Sequence, residues 1–239
     1  TGDVSFVTNQ SGVSQKTFTP NGTIVPGKWY YLTYVRSGSS VRIYVNGVDL
    51  TSTPATHIDP ATSADNFYLG RFGSIRMNGA LDDVRVYNRA LSSSEIQMLY
   101  RQSGGQLVST PSLATSTTAS VNNGLAGYWS FDKNDLTSTT SIDRSGNSKN
   151  GTLSGGLNGI THAIAGRIRQ GLSFNGVSHY IDIPDITFAS NFSFSTWFYT
   201  SDNSQTGMIF GESGGNGGFS PKIGINAGAF FCENWDYCV

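Results

Sequence analysis

The run Val41-Arg42-Ile43-Tyr44-Val45-Asn46-Gly47 decides the fold class. Apolar residues at 41, 43 and 45 alternate with Arg42 and Tyr44, so a strand puts the two sets on opposite faces. Asn46-Gly47 tolerates positive φ at consecutive positions, as a two-residue type I′ hairpin turn requires. Just upstream, Trp29-Tyr30-Tyr31-Leu32-Thr33-Tyr34-Val35 is dense in aromatic and β-branched residues and reads as a second strand. Working outward, strand patterns recur at 67–70, 81–87, 127–132, 171–174, 180–183, 192–199 and 222–225, separated by Gly, Asn and Ser turns. Only Ser92-Ser93-Ser94-Glu95 breaks the pattern: it is a capping box, and it predicts one short helix over 95–101. The fold class expected is all-β, a two-layer antiparallel β-sandwich with one short helix.

Composition agrees. Charged residues make up only 13% of the 239 residues, aromatics reach 12%, and there are 29 glycines, the balance of a turn-rich β protein. A formal net charge of -1, without any Lys/Arg cluster, argues against nucleic acid as a partner. No apolar run approaches the ~20 residues that span a bilayer, so no membrane insertion is expected. Residue 1 opens no signal-peptide pattern, and the chain reads as a piece excised from something longer.

Three zones follow. Residues 1–102 and 124–239 carry strand patterning, whereas 103–123 has neither charge nor aromatic and reads as a Ser/Thr-rich linker. Gly27-Lys28-Trp29-Tyr30, "VRIYVNG" from Val41, Gly70-Arg71 and "GALDDVRVYNRALSSSEIQMLY" from Gly79 resemble the C-terminal half of a laminin G-like domain. "GLAGYWSFD" from Gly124, "DRSGNSKNGTL" from Asp143, "GLSFNGVSHYIDI" from Gly171 and "FSFSTWFY" from Phe192 resemble its N-terminal half. The resemblance implies a concanavalin A-like jelly roll with its halves in permuted order. Two origins fit: a chain cut from a tandem array, or a natural circular permutant. Either half alone would leave unpaired edges and an uncovered apolar face, so the two are expected to complete one sandwich, within one chain or by strand-exchanged self-association.

Candidate site residues are few. In an unbroken strand over 81–87, Asp82 shares its face with Val84 and Val86, and a carboxylate there needs a partner. Laminin G-like relatives often hold calcium near such elements, so the resemblance implies a structural calcium ion held by Asp82 with Asp143 and Asn147, and less directly by Asp132. The alternative is an Asp that caps a loop. Cys232 and Cys238 are the only cysteines, and their spacing suits a disulfide, or else two thiols that happen to be close. Inside that loop, Trp235 and Tyr237 beside Asn234 and Asp236 offer flat faces and polar groups that suit a sugar; the alternative is that they pack on the sandwich. His57, His162 and His179 are scattered and read as surface or turn residues.

Catalysis is not expected. Glucanases of this fold use an E-x-D-x-x-E strand, and the only glutamates, Glu95, Glu212 and Glu233, do not form one. The expected function is a non-catalytic extracellular or cell-surface module that binds a glycan or glycoprotein. A structural spacer in a repetitive surface protein is the alternative, with a glycoside hydrolase a distant third.

Overall fold

The computed structural model describes residues 2–10, 13–52, 56–58, 66–104, 121–202, 207–212 and 220–226. Their strands form two large antiparallel sheets. The first runs in the order Thr140–Ser141, Gly151–Ser154, Tyr180–Ile183, Phe67–Leu69, Gly207–Glu212, Ser220–Asn226, Asp3–Gln10, Val13–Phe18. The second runs Ala163–Ala165, Gln170–Asn175, Asn78–Tyr87, Asn191–Thr200, Trp29–Ser37, Ser40–Val45, Val48–Asp49, and Leu125–Trp129 also pairs with Asn78–Tyr87. Strands from the two sides of residues 105–120 interleave in both sheets. Asn191–Thr200, for example, lies between Asn78–Tyr87 and Trp29–Ser37.

The inner faces make one core. Phe6, Phe67, Leu69, Ile181, Phe210 and Ile223 from the first sheet meet Leu32, Tyr34, Leu81, Val84, Val86, Phe194 and Phe198 from the second. These are the alternate positions of their strands, which is why period two in the sequence becomes a sandwich. Aromatic rings interlock: Phe67 meets Trp129 of the second sheet edge-on at 5.8 Å, and Phe210 of its own sheet at 5.1 Å between centroids. Trp129 keeps its indole N–H satisfied by donating to Lys149 O at 2.9 Å. Each such side chain contributes roughly 1.5–3 kcal/mol on burial, and truncating Trp129 to Ala would cost about 3–5 kcal/mol.

The capping box closes as the sequence predicts. Ser92 Oγ accepts from Glu95 N while the Glu95 carboxylate accepts from Ser92 N, and the helix spans Ser93–Ser103. Ile96 and Leu99, three apart, press onto the outer face of the second sheet beside Tyr31, Tyr87 and Trp197. Val121 joins this cluster, so the end of the segment read as a linker is packed. Among the described residues no helix is long and apolar enough to cross a membrane.

Two expectations change. Asp82 does not share the inner face with Val84 and Val86. The pairing of Asn78–Tyr87 with Asn191–Thr200 shifts between Ser195↔Arg85 and Trp197↔Asp82, which marks an extra residue, and Asp83 sits at φ 53. The bulge reverses parity, so Leu81 joins the core, while Asp82 stands opposite Trp197 of the outer cluster. Nor is His57 a surface residue: it is buried, with Nδ1 2.7 Å from Thr8 Oγ1 and Nε2 2.9 Å from Thr17 Oγ1. His179 is buried as well. The strands that enclose His57, Asp3–Gln10 and Val13–Phe18, carry too weak an alternation to be read in advance.

Candidate functional site

The outer face of the first sheet carries a continuous cross-strand row. Its registers run Thr152↔Asp182, Asp182↔Tyr68, Tyr68↔Gly211, Gly211↔Lys222 and Lys222↔Val7. The neighbouring inward row is Leu153, Ile181, Leu69, Phe210, Ile223 and Phe6. At one end of the outward row a polar, aromatic patch forms. Tyr68 and Tyr180 are half-buried with rings edge to face at 5.8 Å, and the Asn66 amide donates to Asp182 Oδ1 at 3.1 Å. Burial raises the Asp182 carboxyl above its ordinary range, against the opposing effects of the Asn66 amide and the Arg71 charge.

A short hairpin, Arg71–Phe72 paired with Ile75–Arg76, lies over this row. It can settle there because Gly211 has no side chain: a Cβ would stand 2.9 Å from Phe72 Cβ and 3.0 Å from Arg71 O. Lys222 reaches up from the sheet to put Nζ 3.9 Å from the Phe72 ring centre. On the other side Arg71 stacks over Tyr68 at 5.0 Å and Tyr180 at 4.6 Å, and Arg76 approaches the same Tyr180 ring at 5.7 Å. None of these residues was read in the sequence as a site residue, although the alternation of Tyr180-Ile181-Asp182-Ile183 and Phe67-Tyr68-Leu69 already set Tyr180, Asp182 and Tyr68 on a face apart from the core.

A second constellation gathers at the 166–170 turn. Ile168 N donates to Asp82 Oδ2 at 2.7 Å, Gln170 N to Asp132 Oδ1 at 3.3 Å, and Arg169 Nη1 lies 3.4 Å from Asp132 Oδ2. Asp82 Oδ1 is buried without a hydrogen-bond partner. Desolvation pushes the Asp82 carboxyl up to about 8, opposed by the Ile168 N–H and reinforced by the charges of Asp83 and Asp132. The cradle is close-fitting, since a Cβ at Gly166 would stand 2.6 Å from Asp82 Oδ2 and one at Gly171 3.3 Å from Asp82 Cβ. An orphaned carboxylate oxygen beside a second carboxylate is a fit for a hard cation with oxygen ligands. Among the described residues no group of three His, Cys, Asp or Glu side chains is placed to hold a metal, so backbone carbonyls and water would supply the rest of the shell.

Asp143 and Asn147 do something different. Asp143 Oδ1 accepts from Tyr128 N and Ser145 N, and Oδ2 from Ser145 Oγ and Lys149 N, all within 2.9 Å. The Asn147 amide donates to Leu125 O and Ala126 O. Both tie their own turn to Leu125–Trp129, the loop-capping alternative raised above. His162 and His179 come together, edge to face at 4.6 Å, and burial first and the His162 charge second lower the His179 ring. Trp235, Tyr237, Asn234, Asp236, Cys232 and Cys238 lie outside the described residues.

The family comparison falls on the first part of the chain. Residues 1–97 match a laminin G-like family model described as the concanavalin A-like lectin/glucanases superfamily. No curated protein and no solved structure matches the chain. Domains of this class are lectin-like or adhesion modules at the coarse level, and the superfamily includes glycosidases as well as non-catalytic members. Residues 1–97 are thus similar to the concanavalin A-like lectin/glucanases superfamily, and the described residues carry a two-sheet antiparallel fold consistent with that similarity.

Proposed function

We propose that this chain is a non-catalytic carbohydrate-binding or adhesion module that works outside the cell or on its surface, and that it meets its glycan on the outer face of the first sheet. The observation that carries the reading is the patch of Tyr68, Tyr180, Asn66 and Asp182, where two half-buried phenols flank an amide–carboxylate pair. Amide and carboxylate present a donor and acceptors at the spacing of vicinal sugar hydroxyls, and the tyrosines add apolar area with polar tips. Strand pairing fixes Tyr68, Tyr180 and Asp182, and the hydrogen bond to Asp182 holds Asn66, which lowers the ordering cost of binding.

Two of the three glutamates are already committed. Glu95 caps the helix and pairs with Arg89 at 2.6 Å, and Glu212 is fully buried opposite Phe67. Neither is available to a glycosidic bond, which favours binding over hydrolysis. Calcium belongs to the same reading: Asp82 and Asp132 would hold it, stabilising the 166–170 turn. A Cys232–Cys238 disulfide with Trp235 and Tyr237 exposed within it would provide a second contact surface.

A glycan array followed by calorimetry tests the proposal. The wild type should bind without releasing product, at about 0.1–1 mM per site or roughly -4 to -5.5 kcal/mol. Tyr180→Ala and Asp182→Ala should abolish measurable binding. Loss on Trp235→Ala with Tyr180→Ala unaffected would move the site to the C-terminal loop. Silence across a broad array with the fold intact would leave the spacer role instead.

A further inference from the structure

The hairpin over the patch presents an arrangement that a neutral sugar does not explain. Arg71 and Arg76 are directly opposite each other in the two-strand register, and both guanidinium groups approach the ring of Tyr180, at 4.6 and 5.7 Å. Neither has a carboxylate within ion-pair distance among the described residues. Asp182 is within electrostatic reach of Arg71 but is hydrogen-bonded to Asn66. The Arg71 guanidinium makes no hydrogen bond among the described residues. Arg76 uses Nη1 for Gly73 O and Ile75 O, at 2.6 and 3.0 Å, while its Nε is buried without a partner.

Holding two like charges side by side is unfavourable, and the Arg76 guanidinium shows it, its proton weakened by burial and by the neighbouring Arg71. Arg71 also covers the Tyr68 and Tyr180 faces on which an uncharged pyranose would stack. What the patch offers outward is therefore the planar fork of Arg71, with the Arg76 charge beside it, next to a hydroxyl-binding carboxylate and amide. Planar forks match a carboxylate group, which accepts two parallel hydrogen bonds from a guanidinium.

We propose that Arg71 and Arg76 form a carboxylate receptor, and that the saccharide bound at Tyr68, Tyr180, Asn66 and Asp182 carries a uronic acid unit. The inference rests on the glycan-binding reading and narrows it. The uronate carboxylate lies against the two guanidinium groups, and the ring hydroxyls of the same sugar meet Asp182 and Asn66. With two guanidinium groups on the tyrosine side of the hairpin, the site reads one acidic group and is not a general polyanion surface, consistent with the net charge of -1.

The test is calorimetry with oligogalacturonate, oligoguluronate and hyaluronan oligomers, each beside its carboxyl methyl ester, and with neutral cello- and malto-oligosaccharides. At least one acidic oligomer should bind about tenfold or more tightly than its own ester, the size expected for a charge-assisted pair, and the gap should narrow as salt rises. Arg71→Gln and Arg76→Gln should each erase the gap while leaving the far-ultraviolet circular dichroism unchanged. Arg71→Lys, which keeps the charge and loses the fork, should recover only part of it. Equal binding of acid and ester overturns the carboxylate receptor, as does binding confined to neutral oligomers, and both outcomes leave the glycan-binding module standing. Acid-over-ester preference that survives both glutamine variants also overturns it. Silence with every saccharide, acidic and neutral, refutes the binding module itself.

Discussion

His57 and Thr8 are joined at 2.7 Å from ring Nδ1 to hydroxyl, and with Thr17 on the other nitrogen they hold the imidazole neutral inside the first sheet. Desolvation first, and the Arg36 charge second, lower the His57 ring to about 4. A base whose folded value lies below its unfolded value, about 6.5, gives stability that is complete above pH 6.5 and is lost as pH falls towards 4, because the unfolded chain takes the proton first. The difference in thermal melting between the wild type and His57→Gln, followed from pH 7 to 4, should measure this contribution and shrink as the pH falls. An unchanged pH profile in the variant would mean that the ring is not held neutral.

Asp82 acts with the opposite sign. Its carboxyl is raised to about 8 in the fold, so the folded state keeps a proton that the unfolded state releases near pH 4, and stability falls as pH rises from there through 8. The limiting slope is about 1.4 kcal/mol per pH unit. Between pH 4 and 6.5 the two groups oppose each other and mask one another in the wild type. Asp82→Asn should therefore expose the acid lability of His57 and flatten the decline above pH 6.5. Denaturant melts of both single variants and the double variant measure this directly.

Calcium should reverse the Asp82 effect. Binding needs the ionised carboxylate, so the melting temperature should rise with free calcium as RT ln(1 + [L]/Kd), and more at pH 8 than at pH 6. Asp82→Asn should lose the response, and Asp132→Asn should weaken it. A response that persists in Asp82→Asn, or a melting curve indifferent to calcium and chelator alike, refutes the cradle.

The helix cap is a local and separable element. Ser92→Ala removes the acceptor for Glu95 N and should cost about 1 kcal/mol, without changing any ligand-binding property. A loss of several kcal/mol would show that the helix is held by more than its cap and its buried Ile96, Leu99 and Ser103.

Cleavage within residues 105–120 should leave the two pieces associated and folded, because strands of both pieces alternate in both sheets. Light scattering after limited proteolysis should return the mass of the intact chain, and the same experiment at high concentration would reveal strand exchange between chains as a doubled mass. Separation of the pieces without denaturant would contradict the interleaved sheets.

Much of the fold was legible in the sequence because period two and turn chemistry are local. The hairpin at Asn46-Gly47, the strand around Trp197 and the Ser92 cap stand where their own residues put them. The side of Asp82 was not legible, since the bulge at Asp83 is set by pairing with Asn191–Thr200, more than a hundred residues away. The burial of His57 depends on two strands whose sequences barely alternate. The Tyr68 patch was hidden for another reason: its residues come from two distant segments, 66–68 and 180–182, and Gly211, which lets the Arg71 hairpin settle on the sheet, comes from a third.

The position of Asn191–Thr200 sets the order of events during synthesis. The Trp29–Ser37 and Asn78–Tyr87 strands, made early, have no direct pairing with each other and are bridged only by this late strand. A ribosome must therefore deliver Asn191–Thr200, more than a hundred residues after Asn78–Tyr87, before the second sheet can close, and until then the aromatic face of Trp29–Ser37 lacks this partner strand. Contacts this distant along the chain fold slowly. A chain stalled before residue 191 would display unpaired, apolar strand edges, which makes incomplete synthesis the route by which this protein would most readily aggregate.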